Sequence, residues 1–458
     1  MSATAVSWHE ARRRAHEAGS RLTSERVPLQ DAVGRVLADD LLALTPVPHY
    51  ASSAMDGWVV AGDGPWRLLN LGSDPGGEPD DDERGDGADA ASVLLRPGEA
   101  VPIVTGGVIP PGTRGVLRSE RGVVRPGLAT GEDSLGGHEP EHSMRSGAVS
   151  PTSGDDRHDA GAALLSVRPG GVPGEPRDGQ HIRPAGTEAA AEETVFRAGD
   201  LLTPAHVAMA AGCGHDDIAV VRRPGVGLVL TGGEVVESGI PGLGAVRDSF
   251  GPTLPAILAA LGADVVARQR VGDDLAATLA VFEPGQFAAD ATGRSSAAPP
   301  ARSVDLIVTT GGTGDSPADH LRPALRAAHA ELLVDGIAVR PGAPALLARL
   351  PDGRLVIGLP GNPLAAMLAL LTLAHPLVSA MQGRGMPALG RVRIAADLPP
   401  GTSPTTLRPY RLVAGEAHPT AWHGAGMLRG LAEADGVLVL PHEGAAAGSE
   451  VDVLRLPW

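Results

Sequence analysis

No lysine occurs among the 458 residues, so all 38 basic side chains are arginine. Schiff-base and lysine-nucleophile chemistry is therefore excluded, because no side-chain amine is present to form the bond. Cysteine is nearly absent as well. Cys213 stands alone, which rules out an intrachain disulfide and a cluster of thiolate metal ligands. The opening MSATAVSWHEARRRAHEAGSRL has the texture of a polar-faced helix and lacks the apolar core of a secretory leader, so the expected compartment is the cytoplasm. Positive charge is in deficit: 54 acidic residues leave a net charge of −16, which argues against a nucleic acid or an anionic membrane as partner. Any anionic substrate must then be met by local positive groups. Long apolar runs are also scarce. The one from Leu364 to Met381 approaches bilayer length, but Pro376 deep within it and the turn-rich approach favour a buried helix of a globular domain.

What is present fits several domains joined by long loops. At about 150 residues per domain the length predicts roughly three. Gly 62 and Pro 41 are high, yet a 43% hydrophobic content is enough to build cores. Residues 1 to 43 read as one or two helices and are expected to join 190–222 in a helical and linker domain. Short strands with turns over 44–189 predict a β domain, interrupted by an aperiodic Gly, Pro, Ser and Asp-rich stretch from about Gly122 to Gln180 that reads as a disordered insert. The acidic run DPGGEPDDDERGDGADA from Asp74 reads as a solvated loop in preference to a cation patch. From Val226 the texture changes. VGLVLT, a helix from Ser249, VVAR, a helix after Asp273, DLIVTT, a helix from Asp319 and VIGLP before the apolar helix alternate as in a doubly wound α/β domain, expected over 223–384. A loose linker is expected from Pro284 to Ser303, and short strands over 385–458 predict a second small β domain. The fold class is multidomain, α/β plus β.

Three glycine turns follow strands of the α/β segment: TGGE at Thr231, TTGGTGD at Thr309 and LPGNP at Leu359. In open α/β sheets, ligands bind in the crevice beyond the carboxyl ends of the strands. Gly361 allows a tight turn, Asn362 suits a helix cap and Pro363 suits the first helical turn, where exposed amides favour an anion. Three such turns on one edge point to a phosphate-bearing ligand. Glu234, Asp248, Asp315 and Asp319 accompany them, with Asp56 upstream in SSAMDGWVV. Hard oxygen ligands near a phosphate crevice suit Mg²⁺. Helix capping is the competing reading for Asp248 and Asp319.

SAMDGWVV at Ser53, TGGVIPPGT at Thr105, HIRPAGTE at His181, LTGGEVV at Leu230, RDSF at Arg247, TTGGTGDSPADH at Thr309, VRPGAP at Val339 and GLPGNP at Gly358 occur in order. Together they resemble the molybdopterin molybdenumtransferases, the family that includes the carboxy-terminal domain of gephyrin. The resemblance spans nearly the whole chain outside the insert and shorter loops. It implies an elongated homodimer whose active site is shared between subunits, and the Mg²⁺-dependent insertion of molybdate into adenylylated molybdopterin with release of AMP. A molybdopterin adenylyltransferase is an implied partner. Asp56, Glu234, Asp319 and Arg340 are the implied catalytic residues. Thr105, Gly232, Gly311, Gly312, Thr313, Gly314, Pro360, Gly361, Asn362 and Pro363 would bind the ligand, and Glu188, Glu234, Asp248 and Asp319 the metal.

The sequence also departs from the family. Its Lys-Pro-Gly-Lys-Pro reads Arg340, Pro341, Gly342, Ala343 and Pro344, leaving one cation in that loop. Phe250 stands where the family has Asn after Asp-Ser, Ala425 where a Ser is expected and Arg114 where an Asp is expected. The form TTGGTG resembles the related adenylyltransferase domain. Two alternatives therefore stay open beside molybdenum insertion: a non-catalytic molybdopterin-binding or scaffolding paralogue, and adenylyl transfer to molybdopterin. With one loop cation remaining, binding is expected to depend strongly on Mg²⁺ and on Arg340.

Overall fold

The computed structural model describes residues 5–69, 93–126, 163–170, 172, 174–287, 303–314, 316 and 319–458. The acidic run from Asp74, Asp315, the centre of the insert and most of the expected linker after Pro284 lie outside them. Phe287, at the edge of that linker, is nonetheless packed against Gly227. The chain divides into two compact units: 1–40 with 196–207 and 216–458, and 41–195 with 208–215.

The first unit is organised around a six-stranded sheet. Its strands, in chain order, are β1 (Gly225–Leu230), β2 (Asp264–Arg270), β3 (Leu306–Thr310), β4 (Glu331–Asp335), β5 (Leu346–Arg349) and β6 (Leu355–Leu359). They lie in the order β2-β1-β3-β6-β5-β4, the first four mutually parallel and β5 antiparallel to both β6 and β4. All residues of β1, β3 and β6 are buried, as expected for strands covered on both faces. Register places Leu230 beside Thr310 and Thr310 beside Leu359, so three strands end level and their glycine turns start together. Arg270 also pairs with Leu230, which brings a fourth loop, Val271–Asp274, to the same edge. That loop carries no glycine signature strong enough to be noticed beforehand.

Helix α1 (Trp8–Ala18) is capped by Ser7, whose hydroxyl accepts from the Glu10 amide. It packs on α5 (Pro363–Met381), with Trp8 Nε1 donating to Thr372 Oγ1 at 3.0 Å. The apolar run is thus long and apolar enough to cross a membrane, yet it is almost wholly buried in the core, and it continues through Pro376 without a break. Shorter helices α2 (Leu254–Leu261), α3 (Leu275–Ala280) and α4 (Leu321–Ala327) cover the sheet.

The helical reading of residues 1 to 43 needs correction. After α1 the chain forms strands, and Ser24–Pro28 and Val36–Leu37 flank Asp217–Val221 in a three-stranded sheet. The C-terminal strands form a seven-stranded sheet that also recruits Val6–Ser7 and Ile337–Arg340. Arg340 therefore sits at the end of a strand paired with Thr405–Val413.

The second unit contains a six-stranded sheet ordered Gly122–Arg125, Leu164–Val167, Trp66–Leu68, Glu99–Ile103, Gly57–Val60, Gly115–Arg118. The expected insert contains two strands of this sheet: Gly122–Arg125 pairs antiparallel with Leu164–Val167, and Leu165 is fully buried. Hydrophobic alternation over only four residues on each side is too short to stand out from the surrounding Gly, Pro and Ser. Within the expected insert, residues 127–162, 171 and 173 lie outside the described residues.

Candidate active site

A cleft of about 650 Å³ opens at the level ends of β1, β3 and β6. All of the ligand-binding residues expected in the α/β segment line it, from Gly232 and Gly311 through Gly314 to Pro360, Gly361, Asn362 and Pro363, together with Glu234, Asp248 and Asp319. The turns are tied to one another. Gly311 donates to the Leu359 carbonyl at 2.8 Å, and the Thr231 hydroxyl donates to the Thr310 carbonyl. Gly311 and Gly312 both have positive φ, 76° and 65°, a consecutive left-handed pair that only glycine adopts cheaply. Arg322 braces this loop from behind, donating to the Thr313 and Pro344 carbonyls while paired with Asp335 at 2.6 Å. Sequence reading missed Arg322, which has no motif of its own.

The amides left without an acceptor decide where an anion could be held. Those of Gly312, Thr313, Gly361 and Asn362 find no acceptor among the described residues. Asn362 occupies the N-cap position of α5, but its side chain accepts no capping bond, so the capping role expected of it is not realised. The first-turn amide of Ala365 donates instead to Ala425 at 3.1 Å. At the first turn the expectation fails: the Gly232 and Gly233 amides already donate to the Asp273 carboxylate, at 3.1 and 2.6 Å.

The cationic side chain expected at Arg340 is likewise displaced. Arg340 does not line the cleft; its guanidinium reaches Thr402 Oγ1 at 3.4 Å, in the bend before the strand Thr405–Val413. Two other arginines do line it. Arg270 is bound to Asp248 at 2.6 Å and to Glu237 at 2.8 Å. Arg247 makes no ion pair among the described residues, its one contact being a long 3.4 Å bond to the Val236 carbonyl. It is held there by a two-stranded ribbon in which Val235–Val236 runs parallel to Val246–Arg247. The RDSF motif contained this residue, but the signal was read at the aspartate.

Asp248 is buried and fully engaged. Oδ1 accepts from the Phe250 and Gly251 amides at 2.9 and 2.8 Å, and Oδ2 accepts from Arg270. Burial raises its pKa, but the two amides and Arg270 outweigh that and hold the carboxyl below its ordinary value. Phe250 lines the cleft and packs its ring against the core.

Of the four expected metal ligands, Glu234, Asp248 and Asp319 line this cleft. Among the described residues no three His, Cys, Asp or Glu side chains gather as ligands. Glu188 belongs to the second unit, and both oxygens of Asp248 are taken. Glu234 has no side-chain partner among the described residues, and Asp319 engages only Oδ2, with the Ser316 amide at 2.8 Å. One or two carboxylates completed by phosphate oxygens and water are what Mg²⁺ usually takes from a protein, and these two fit that pattern.

In the second unit, Asp56 and Thr105 meet because Gly57 pairs with Ile103. Asp56 Oδ1 accepts from the Thr105 amide at 2.6 Å and hydroxyl at 2.9 Å, which keeps its carboxyl below the ordinary range. Gly57 is required for close approach, since a Cβ there would lie 2.1 Å from the Leu117 carbonyl oxygen. Arg114, where the resemblance led to the expectation of an Asp, bridges Asp63 and Asp178.

Comparison with known proteins accounts for nearly the whole chain. A model of the MoeA N-terminal region (domain I and II) matches residues 6–214, a probable molybdopterin binding domain matches 227–380, and the MoeA C-terminal region (domain IV) matches 391–456. Molybdopterin molybdenumtransferase 2 of Mycobacterium tuberculosis is 29% identical over 458 residues, covering 94% of each chain. Molybdopterin molybdenumtransferase of Synechococcus elongatus is 29% identical over 371 residues, covering 78% of this chain and 76% of its own. The crystal structure of a molybdopterin biosynthesis moeA protein from Pyrococcus horikoshii covers 99% of this chain and 100% of its own at 19% identity with a TM-score of 0.67, which shows the same fold.

Proposed function

The chain belongs to the MoeA family of molybdopterin molybdenumtransferases and serves molybdenum cofactor biosynthesis as an enzyme of molybdenum insertion, and from that premise we propose how its cleft works. The substrates are adenylylated molybdopterin and molybdate, and the products are the molybdenum cofactor and AMP. One observation carries this reading: the unpartnered amides of Gly312, Thr313, Gly361 and Asn362 share a cleft with the unpaired Arg247 and the carboxylates of Glu234 and Asp319. The amides and Arg247 grip phosphate oxygens. Mg²⁺ held by Glu234 and Asp319 together with those oxygens would offset the pyrophosphate charge and polarise the phosphorus under attack. Pro360 and Pro363 fix the backbone on either side of the third turn, so its donors are positioned before the ligand arrives.

The enzyme is cytoplasmic and works as a homodimer with shared active sites, to which Asp56 and Thr105 contribute; it receives its adenylylated substrate from a molybdopterin adenylyltransferase. Light scattering is expected to give twice 46.5 kDa, and a monomer at micromolar concentration refutes the shared site. The non-catalytic alternative draws on the engaged Asp248 and on Phe250 beside it. Purified protein with adenylylated molybdopterin, molybdate and Mg²⁺ decides between them. AMP release with cofactor formation supports insertion, whereas binding without AMP release supports the scaffold, and turnover only with unadenylylated molybdopterin and ATP supports adenylyl transfer.

A further inference from the structure

The first glycine turn differs from the other two in that its anion site is already filled. Asp273 Oδ1 accepts from Gly232 and Oδ2 from Gly233, so one carboxylate straddles two successive amides. This is the grip by which backbone nests hold phosphate oxygens. Gly232 has a φ of 110°, and a Cβ on Gly233 would come within 3.4 Å of Asp273 Oδ2, so the glycines let the carboxylate approach. Asp273 is exposed, in the loop between β2 and α3, and its side chain can leave the turn without disturbing a packed element. Glu234 lines the cleft on the next step of the same turn. This corner therefore presents carboxylates, while the amides of Gly312 and Gly361 and the guanidinium of Arg247 line the cleft without such partners.

We propose that Asp273 is a specificity-determining residue that occupies the anion nest of the first turn. By doing so it excludes the ligand's phosphate from that corner and directs it to the second and third turns. The inference rests on the reading of the cleft as a site for a pyrophosphate-bearing ligand. It predicts that removing the internal carboxylate creates an extra anion site, an effect opposite in sign to the loss of a structural contact.

The test is calorimetric titration of the full-length protein with inorganic pyrophosphate in EDTA, using wild type, Asp273→Ala and Asp273→Asn. Asp273→Ala is expected to bind about tenfold more tightly, because two charge-directed amides become available and a negative charge is removed. Asp273→Asn keeps an acceptor for one amide and should gain less. Thermal melting of the same samples checks folding, and Asp273→Asn preserves the test should the alanine variant not fold. If wild type binds pyrophosphate and folded Asp273→Ala binds no more tightly, and Asp273→Asn is likewise unchanged, the proposal is overturned while the anion cleft stands. If none of the three proteins binds, either in EDTA or when the titration is repeated in Mg²⁺, both readings are overturned.

Discussion

Asp248 and Asp56 carry the same carboxylate into opposite surroundings. Asp248 is buried, with one oxygen bound by two amides and the other by Arg270. Asp56 is exposed and engages only Oδ1, through the amide and hydroxyl of Thr105. Both carboxyls are held below their ordinary range. A depressed carboxyl therefore shows that charge is retained, while availability to a ligand depends on which lone pairs remain unfilled. By that criterion Asp248 belongs to the framework of the cleft, whereas Asp56, Glu234 and Asp319 each keep a carboxylate oxygen without a partner among the described residues.

The contrast is most sharply broken at Asp248. Asp248→Ala should cost about 2–4 kcal/mol of stability, read from the urea midpoint, because it leaves two amides and Arg270 without their acceptor. Asp248→Asn should cost less, since one oxygen can still serve the amides. The depressed folded pKa means that this stability is present above the unfolded value near pH 4 and is lost as pH falls through the folded value. Stability measured from pH 6 to 2 should accordingly flatten in Asp248→Ala. An unchanged profile would show that the carboxylate is not anchored as described.

Arginine substitutions come next. Arg247→Gln should weaken pyrophosphate binding in EDTA by about tenfold, the scale of a lost charge-assisted hydrogen bond, whereas Arg340→Gln should change it by less than about twofold. The reverse ranking would return the cleft's cation to Arg340.

Thr105→Val keeps the amide donor and removes the hydroxyl. The Asp56 carboxyl should then titrate closer to its ordinary value, seen by carbon-detected NMR of the labelled side chain. A further downward movement would refute the hydrogen-bond account.

Deletion of residues 127–162 should have the smallest effect, moving the melting temperature by about 2 °C or less, because the composition of that segment offers little to pack. Extending the deletion to 122–180 should be far more damaging, since it removes the strand pair that buries Leu165.

Much of the α/β unit was legible along the chain. Continuous apolar runs followed by glycine turns announced β1, β3 and β6, and the apolar run from Leu364 announced α5. These signals are local, and they survive folding because strands buried on both faces need apolar residues throughout. Short pairings were not legible. Val36–Leu37, Val6–Ser7 and the strand pair around the insert are each two to four residues long, and each becomes a strand only through a partner distant in sequence.

The sequence by itself determined the chemistry available: arginine as the sole side-chain cation besides histidine, no thiolate cluster, three glycine turns after buried strands and a set of carboxylates beside them. The tertiary structure decided which of those groups stay free. Sheet register brought the Asp273 loop to the edge of β1, pairing with Thr405–Val413 drew Arg340 out of the cleft, and Arg270 took the second oxygen of Asp248. Hydrogen-bond donors and acceptors are satisfied in three dimensions by whichever partner is nearest, and distance along the chain does not reveal that partner.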